Sequence, residues 1–246
     1  MVIHVSRSEI INCYSSAGVS GEKVTGGLVG KLMNSATISN CSSAGSVIGL
    51  EAVGGLAGDC NGTITNCYST GSTSGERYVG GLVGINGPYT IANCFSSSNV
   101  TGVMEVGGLV GNSSGTLMNC YSTGSASGER FVGGLVGRLD DYLNGEFAAI
   151  INCYSAGNVV GITDVGGLVG SGYFTATVIE SFWDIETSGQ TTSFRGTGKT
   201  TAEMQTAGTF LDAGWDFFDE TQNGTDDLWW ITEGQDYPRL WWETVE

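Results

Sequence analysis

The residues of this 246-residue chain that could do chemistry fall into three groups: two acidic loops, seven cysteines and a recurring aromatic position. The first loop, Arg138-Leu-Asp-Asp-Tyr-Leu-Asn-Gly-Glu-Phe, holds Asp140, Asp141 and Glu146, and two such carboxyls could flank a sugar bond as acid and base. The second, around Asn223-Gly224, holds Asp216, Asp219, Glu220, Asp226 and Asp227. Oxygen-rich loops of this kind can bind calcium, so Asp216, Asp219, Asp226 and Asp227 are its candidate ligands, although their spacing fits neither an EF-hand nor a nonapeptide repeat. Acidic loops are ordinarily solvated surface, and with one histidine, His4, no Ser-His or Cys-His constellation is visible. Gly196-Thr-Gly-Lys-Thr imitates only the end of a phosphate-binding loop. The expectation is that the chain is not an enzyme and needs no cofactor, calcium being the one option.

Six of the cysteines follow an asparagine: Cys13, Cys41, Cys67, Cys94, Cys120 and Cys153. The position after them reads Tyr14, Ser42, Tyr68, Phe95, Tyr121 and Tyr154, and a decayed seventh copy has Ser181 and Phe182. Each cysteine stands thirteen residues before a Gly-Gly pair that begins at Gly26, Gly54, Gly80, Gly107, Gly133 or Gly166. A fixed interval recurring with a period of 26 to 28 residues, and one step of 33, marks a stacked repeat protein.

The elements that position these residues must be short strands. Gly, Ser, Thr, Val and Ile dominate each repeat, and Tyr78-Val-Gly-Gly-Leu-Val-Gly cannot sustain a helix. The expected fold is all-β: a parallel β-solenoid of about seven coils over residues 1–185, each coil three strands long and about 4.8 Å from the next. Every repeat position then becomes a ladder along the rod. Ile10, Ile38, Ile64, Ile91, Leu117, Ile150 and Val178 stand three residues before the Cys or Ser181 position, and both columns look buried, so strand alternation must break between them. The Asn column, Asn12 through Asn152, is the natural place, because Asn tolerates left-handed backbone and stacked amides can bond to one another.

Cysteines in register point the same way, which disfavours the dihedral of a disulfide, so they are expected as buried free thiols acting as small apolar groups. Cys60, off the ladder in Asp59-Cys-Asn-Gly, is the thiol expected to be exposed or reactive. The paired glycines are expected to supply positive φ at corners or close approach between rungs. Tyr14, Tyr68, Phe95, Tyr121 and Tyr154 form a candidate ligand-binding strip for a glycan if they face outward, and core stacking if they face inward. The sequence leaves both open.

The Gly-Gly-Leu-(Val/Ala)-Gly copies with intervening Asn-Cys-(Tyr/Phe)-Ser resemble the GLUG-motif repeats of prokaryotic extracellular and surface proteins. Lys199-Thr-Thr-Ala-Glu-Met, Gly214-Trp-Asp-Phe and Tyr237-Pro-Arg-Leu are similar to the segment that often closes such arrays. The resemblance spans nearly the whole chain and implies a β-solenoid of a secreted or surface-attached protein connected with adhesion or surface architecture, with no reaction assigned to the motif.

Composition changes after the repeats. All six tryptophans fall in the last 64 residues, and residues 171–246 carry fourteen acidic and three basic side chains. Residues 186–246 are therefore expected as an acidic, Trp-rich cap that covers the open end of the stack. Thr200 and Glu203 have capping-box spacing, and Leu228-Trp-Trp-Ile and Arg239-Leu-Trp-Trp read as strands. Net charge of -16 argues against nucleic acid as a partner, and no apolar run is long enough to insert in a membrane. No secretion signal is visible and residue 12 is already in a coil, so the chain reads as a segment of a longer rod; otherwise its bare first face would meet another copy of itself. Lys or Arg at Lys23, Arg77 and Arg130 alternates with acids along the rod, which relieves like-charge stacking. Together these expectations describe an extracellular structural or adhesive module, with a glycan-binding module or an end-to-end filament subunit as alternatives.

Overall fold

The computed structural model describes residues 4–140 and 148–243. It is a parallel β-solenoid. Five ladders of short strands run its length: two of seven strands, one of eight and two of six, all paired in parallel. The seven strands of the first, from His4–Ser6 to Val169–Gly172, enclose six turns. Each complete coil has five strands where three were expected. In the first coil these are Glu9–Ile11, Tyr14–Ser15, Val19–Ser20, Lys23–Gly26 and Val29–Met33.

The extra corners follow from residues that leave the strand conformation. Asn12, Asn40, Asn66, Asn93, Asn119 and Asn152 all have φ between 51° and 55°, as expected from the break in alternation. Asn66, Asn93 and Asn119 each donate a side-chain amide to the Asn one coil before, at 3.2–3.3 Å. A second left-handed column lies inside the fourth strand: Val24, Ala52, Tyr78, Glu105, Phe131 and Asp164, with φ of 53–59°. This column leaves the ladder without shifting its register, so that Glu51 pairs Arg77 and Val53 pairs Val79 while Ala52 has no ladder partner.

Two cores result. The larger stacks the Ile, Cys and motif Leu and Val columns, with Ile38, Ile64, Leu82, Leu109 and Cys94 fully buried. The smaller packs two columns together, Val53, Val79, Val106 and Val132 from one ladder and Val47 to Val159 from another, the latter with Thr73 and Ala126 in two of its places. The Gly-Gly pair forms the neck between the two cores: Ser69 and Ser155 hydroxyls donate to the Gly81 and Gly167 carbonyls at 2.5 and 2.6 Å. A Cβ on Gly81 would fall onto the Gly108 carbonyl and Ser96 Oγ. Of the two roles expected for these glycines the structure uses close approach, since among the described residues the positive-φ glycines all lie after residue 185, at Gly189, Gly196, Gly214, Gly224 and Gly234.

The charge alternation resolves into ion pairs between successive coils, Lys23–Glu51 at 3.7 Å, Arg77–Glu105 at 3.3 Å and Arg130–Asp164 at 3.4 Å. Past the last coil, Trp183 enters the main core, and residues 189–199 close the end of the stack. Gly167 N–H donates to the Thr192 carbonyl and Phe194 N–H to the Val169 carbonyl, both at 3.0 Å. Thr197–Lys199 pairs with Phe182–Asp184, so this ladder extends beyond residue 185. Three short helices follow the pattern of Asp184 and the Thr200–Glu203 capping box: Ile185–Ser188, Thr201–Met204 and Ala207–Leu211. Trp229–Trp230 and Arg239–Leu240 form an antiparallel pair. Among the described residues no helix is long and apolar enough to cross a membrane.

Candidate functional site: the aromatic ladder and its cover

The aromatic column faces outward from the coil, because the left-handed Asn sends the following Cys inward and the residue after it to the opposite side. Tyr68, Phe95, Tyr121 and Tyr154 stack with ring centroids 4.9–5.0 Å apart and planes within 6° of parallel. Tyr14 is separated from this stack by Ser42 and is 64% exposed.

Most of the strip is nonetheless covered. The segment after residue 200 was expected to plug the end of the rod, but it turns back along the side and lies on these rings. Trp229 sits against Tyr121 and Tyr154, Tyr237 stacks on Tyr154 at 6.1 Å, and Trp242 reaches Phe95 and Tyr68 at 5.6 and 6.0 Å. The physical reason is the strip itself: four outward aromatic rings are an apolar surface, and covering them removes it from water. Tyr121 and Tyr154 are consequently buried, Tyr68 and Phe95 half-buried. Their polar ends are satisfied by the cover. Tyr121 Oη donates to Glu243 Oε2 at 2.7 Å and Tyr154 Oη to the Pro238 carbonyl at 2.6 Å. Burial pushes both phenols well above the usual tyrosine range, and burial raises the Glu243 carboxyl although the Tyr121 hydroxyl opposes it.

Asp184 fastens the cover to the last coil. Its Oδ1 accepts the N–H groups of Glu186 and Thr187, and its Oδ2 accepts the hydroxyls of Thr201 and Tyr237 at 2.7 Å each. A cavity of about 520 Å³ remains between ladder and cover, with Phe95, Tyr121 and Thr123 on one wall and Asp236, Arg239 and Glu243 on the other. Arg239 pairs with Asp236 and supplies the cation of this cavity. None of the three cover residues was singled out from sequence. Glu243 meets the ladder at Tyr121 across 122 residues of chain, as neighbouring Pro238 meets Tyr154 across 84, and no local pattern announces such contacts.

The other candidates are placed differently. Cys60 was expected to be exposed, yet it lies within the strand Ala57–Cys60, fully buried, and its thiol donates to the Gly62 carbonyl at 3.1 Å. Burial pushes it up to about 12. The exposed thiol is Cys13, on the first coil. The ladder thiols are more than small apolar groups: Cys41, Cys67, Cys94 and Cys153 each accept the backbone N–H of the preceding ladder cysteine at 3.2–3.4 Å. Asp216 Oδ2 accepts the Asp226 N–H, and Asp219 and Asp227 adopt positive φ. Among the described residues no three His, Cys, Asp or Glu side chains could hold a metal ion, so Asp216, Asp219, Asp226 and Asp227 do not assemble the calcium site considered for them. Asp140 pairs with Arg138 at 2.8 Å and accepts from Asn112, which also donates to the buried Glu105. Asp141 and Glu146 lie outside the described residues.

Comparison with known proteins adds a family motif and a fold. The GLUG motif matches at residues 21–48, 75–101 and 132–160. A curated "Putative Gly-rich membrane protein" of Evansella cellulosilytica is 42% identical over 67 residues, 27% of this chain, and the chain spans only 7% of that relative's length. The solved structure of a "putative immunoglobulin A1 protease" from Bacteroides ovatus aligns over 96% of this chain and 76% of its own, with a TM-score of 0.63 at 22% identity. At that identity the likeness is one of fold.

Proposed function

As a GLUG-motif repeat protein built on a parallel β-solenoid, the chain serves, we propose, as a non-catalytic structural or adhesive element of a larger surface or secreted protein. The observation that carries this reading is that each repeated group bonds to its own equivalent on the next coil: thiol to backbone, amide to amide, ring to ring. Chemistry arranged in this way stiffens a rod. Among the described residues, Glu105 and Asp140 are tied by Arg77, Arg138 and Asn112. The membrane-protein name of the Evansella relative supports a place at the cell surface.

The adhesive half of the reading has a specific location in the cavity between ladder and cover. It offers aromatic edges together with the donor Arg239 and the acceptors Asp236 and Glu243, which is the mixture that sugar hydroxyls require. The test is a pull-down of the purified chain on immobilised polysaccharides, with a reducing-end assay on the supernatant. Retention without new reducing ends is expected, and Arg239→Gln or the cavity-filling Thr123→Trp should release the chain. New reducing ends would overturn the non-catalytic reading, and retention unaltered in both variants would remove the cavity from it.

A further inference from the structure

Most aromatic rings of the cover are packed away, with Phe210, Trp215 and Trp229 fully buried, but two stand out into solvent: Phe218 is 61% and Trp241 55% exposed. These two, with Trp230, line a second cleft of about 520 Å³ on the cover, and the remaining lining residues are Asp226, Asp227 and Glu243. Three rings and three carboxylates with no Lys, Arg or His among them make a surface that is apolar and strongly negative together. The walls are held by the backbone. Phe218 N–H donates to the Trp229 carbonyl at 2.7 Å, Trp241 N–H to the Leu228 carbonyl at 2.9 Å, and the Asp226 N–H to Asp216 at 2.8 Å. Glu243 is fixed by the Tyr121 hydroxyl and the Leu240 N–H, both at 2.7 Å.

The chemistry of this lining narrows what it can take. Carboxylates only accept, and the Trp230 indole N–H is committed to the Leu240 carbonyl, so the Trp241 indole is the side-chain donor left for a ligand. An anion is repelled, and a neutral sugar, whose hydroxyls need donors as well as acceptors, finds almost none. A primary ammonium is small and strongly hydrated, and gives up water reluctantly for ring faces. A methylated ammonium is large, weakly hydrated and apolar at its surface, and is attracted both by ring quadrupoles and by carboxylates that need not touch it. Trp230 already has one cation beside it, the Arg239 guanidinium 5.7 Å from the ring centroid.

We propose that the Phe218–Trp230–Trp241 cleft binds a quaternary or methylated ammonium group. This site shares Glu243 with the ladder cavity but has its three rings and its other two carboxylates to itself, and it stands whether or not that cavity binds a glycan.

The experiment is a titration of the full chain with choline, followed by tryptophan fluorescence and by indole N–H shifts in NMR, beside its uncharged carbon analogue 3,3-dimethylbutan-1-ol. Saturable binding of choline is expected, with the neutral analogue and ethanolamine, the primary-ammonium counterpart of choline, each about tenfold weaker or more, and with affinity falling as salt is raised. Trp241→Ala, and separately the pair Asp226→Asn and Asp227→Asn, should each weaken choline by about tenfold while leaving the melting temperature unchanged. Phe218→Leu provides a further variant at an exposed ring should either of these disturb the fold. Equal binding of the neutral analogue, saturable binding of a neutral hexose in its place, or no saturable response to choline would overturn the proposal.

Discussion

The cysteine of the repeat does two things at once, and the seventh coil shows which of them matters to the backbone. The thiols of Cys41, Cys67, Cys94 and Cys153 accept the N–H of the preceding ladder residue, and every buried ladder thiol donates to the carbonyl two residues before itself, as Cys94 does at 3.1 Å to Ala92. Ser181, where the motif has decayed, keeps both bonds, accepting from Cys153 N–H at 3.1 Å and donating to the Ile179 carbonyl at 2.7 Å. Cys94→Ala should therefore cost about 2 kcal/mol, from the stranded N–H and the cavity together, and Cys94→Ser less. Urea unfolding of the two variants compares them directly, and equal stability would show that the sulfur bonds carry no weight. Native thiol labelling should modify Cys13 alone, with the other six cysteines reacting only on unfolding. Alkaline pH gives the sign of their burial. Cys41 and Cys60 are raised to about 11 and about 12, so the protein keeps their full contribution below the unfolded thiol range and loses it as pH climbs through those values. Melting temperatures measured from pH 8 upward should fall once the pH passes about 9; a flat profile to the point of Tyr ionisation would contradict this. The left-handed Asn was legible in the sequence because its preference is local. Cys60 was not: Asp59-Cys-Asn-Gly has the composition of a loop, and only the pairing of Cys60 with Leu32 and Asn86 in neighbouring coils makes it core.

At the scale of elements, the cover and the ladder stabilise each other. Trp229 touches Tyr121, Tyr154 and Trp215 and is fully buried, so Trp229→Ala should cost about 3–5 kcal/mol. The near-ultraviolet circular dichroism of the tyrosine stack should change with it. Trp241→Ala, on the solvent side of the same strand pair, should shift stability by no more than about 0.5 kcal/mol. If both variants unfold alike, the cover is not packed as described. The existence of the cover, its capping box and its strand pair were readable from composition and spacing, since each is a local signal. That it lies along the side of the rod was not, because the direction depends on whether the aromatic column faces out, which two-residue periodicity leaves undecided once a left-handed residue intervenes.

For the whole molecule, the position of the cover breaks the equivalence of the coils. A solenoid held only by neighbour contacts unfolds from either end by similar steps. Here Trp242 reaches back to Tyr68 on the third coil, while the first coil leaves Ile11, Cys13 and Tyr14 exposed. Amide hydrogen exchange should therefore be fast through about residue 40 and slow, with a common rate, from the third coil onward. A smooth gradient along the rod would contradict a joined block. The same contact gives the rod a direction under load. Drawn out from its first strand, the chain should surrender its opening turns singly at low force, each tug resisted only by the rung behind it. At the third coil the pull meets a segment clasped from the opposite end of the sequence, and what remains should hold until it gives way in a single large rupture.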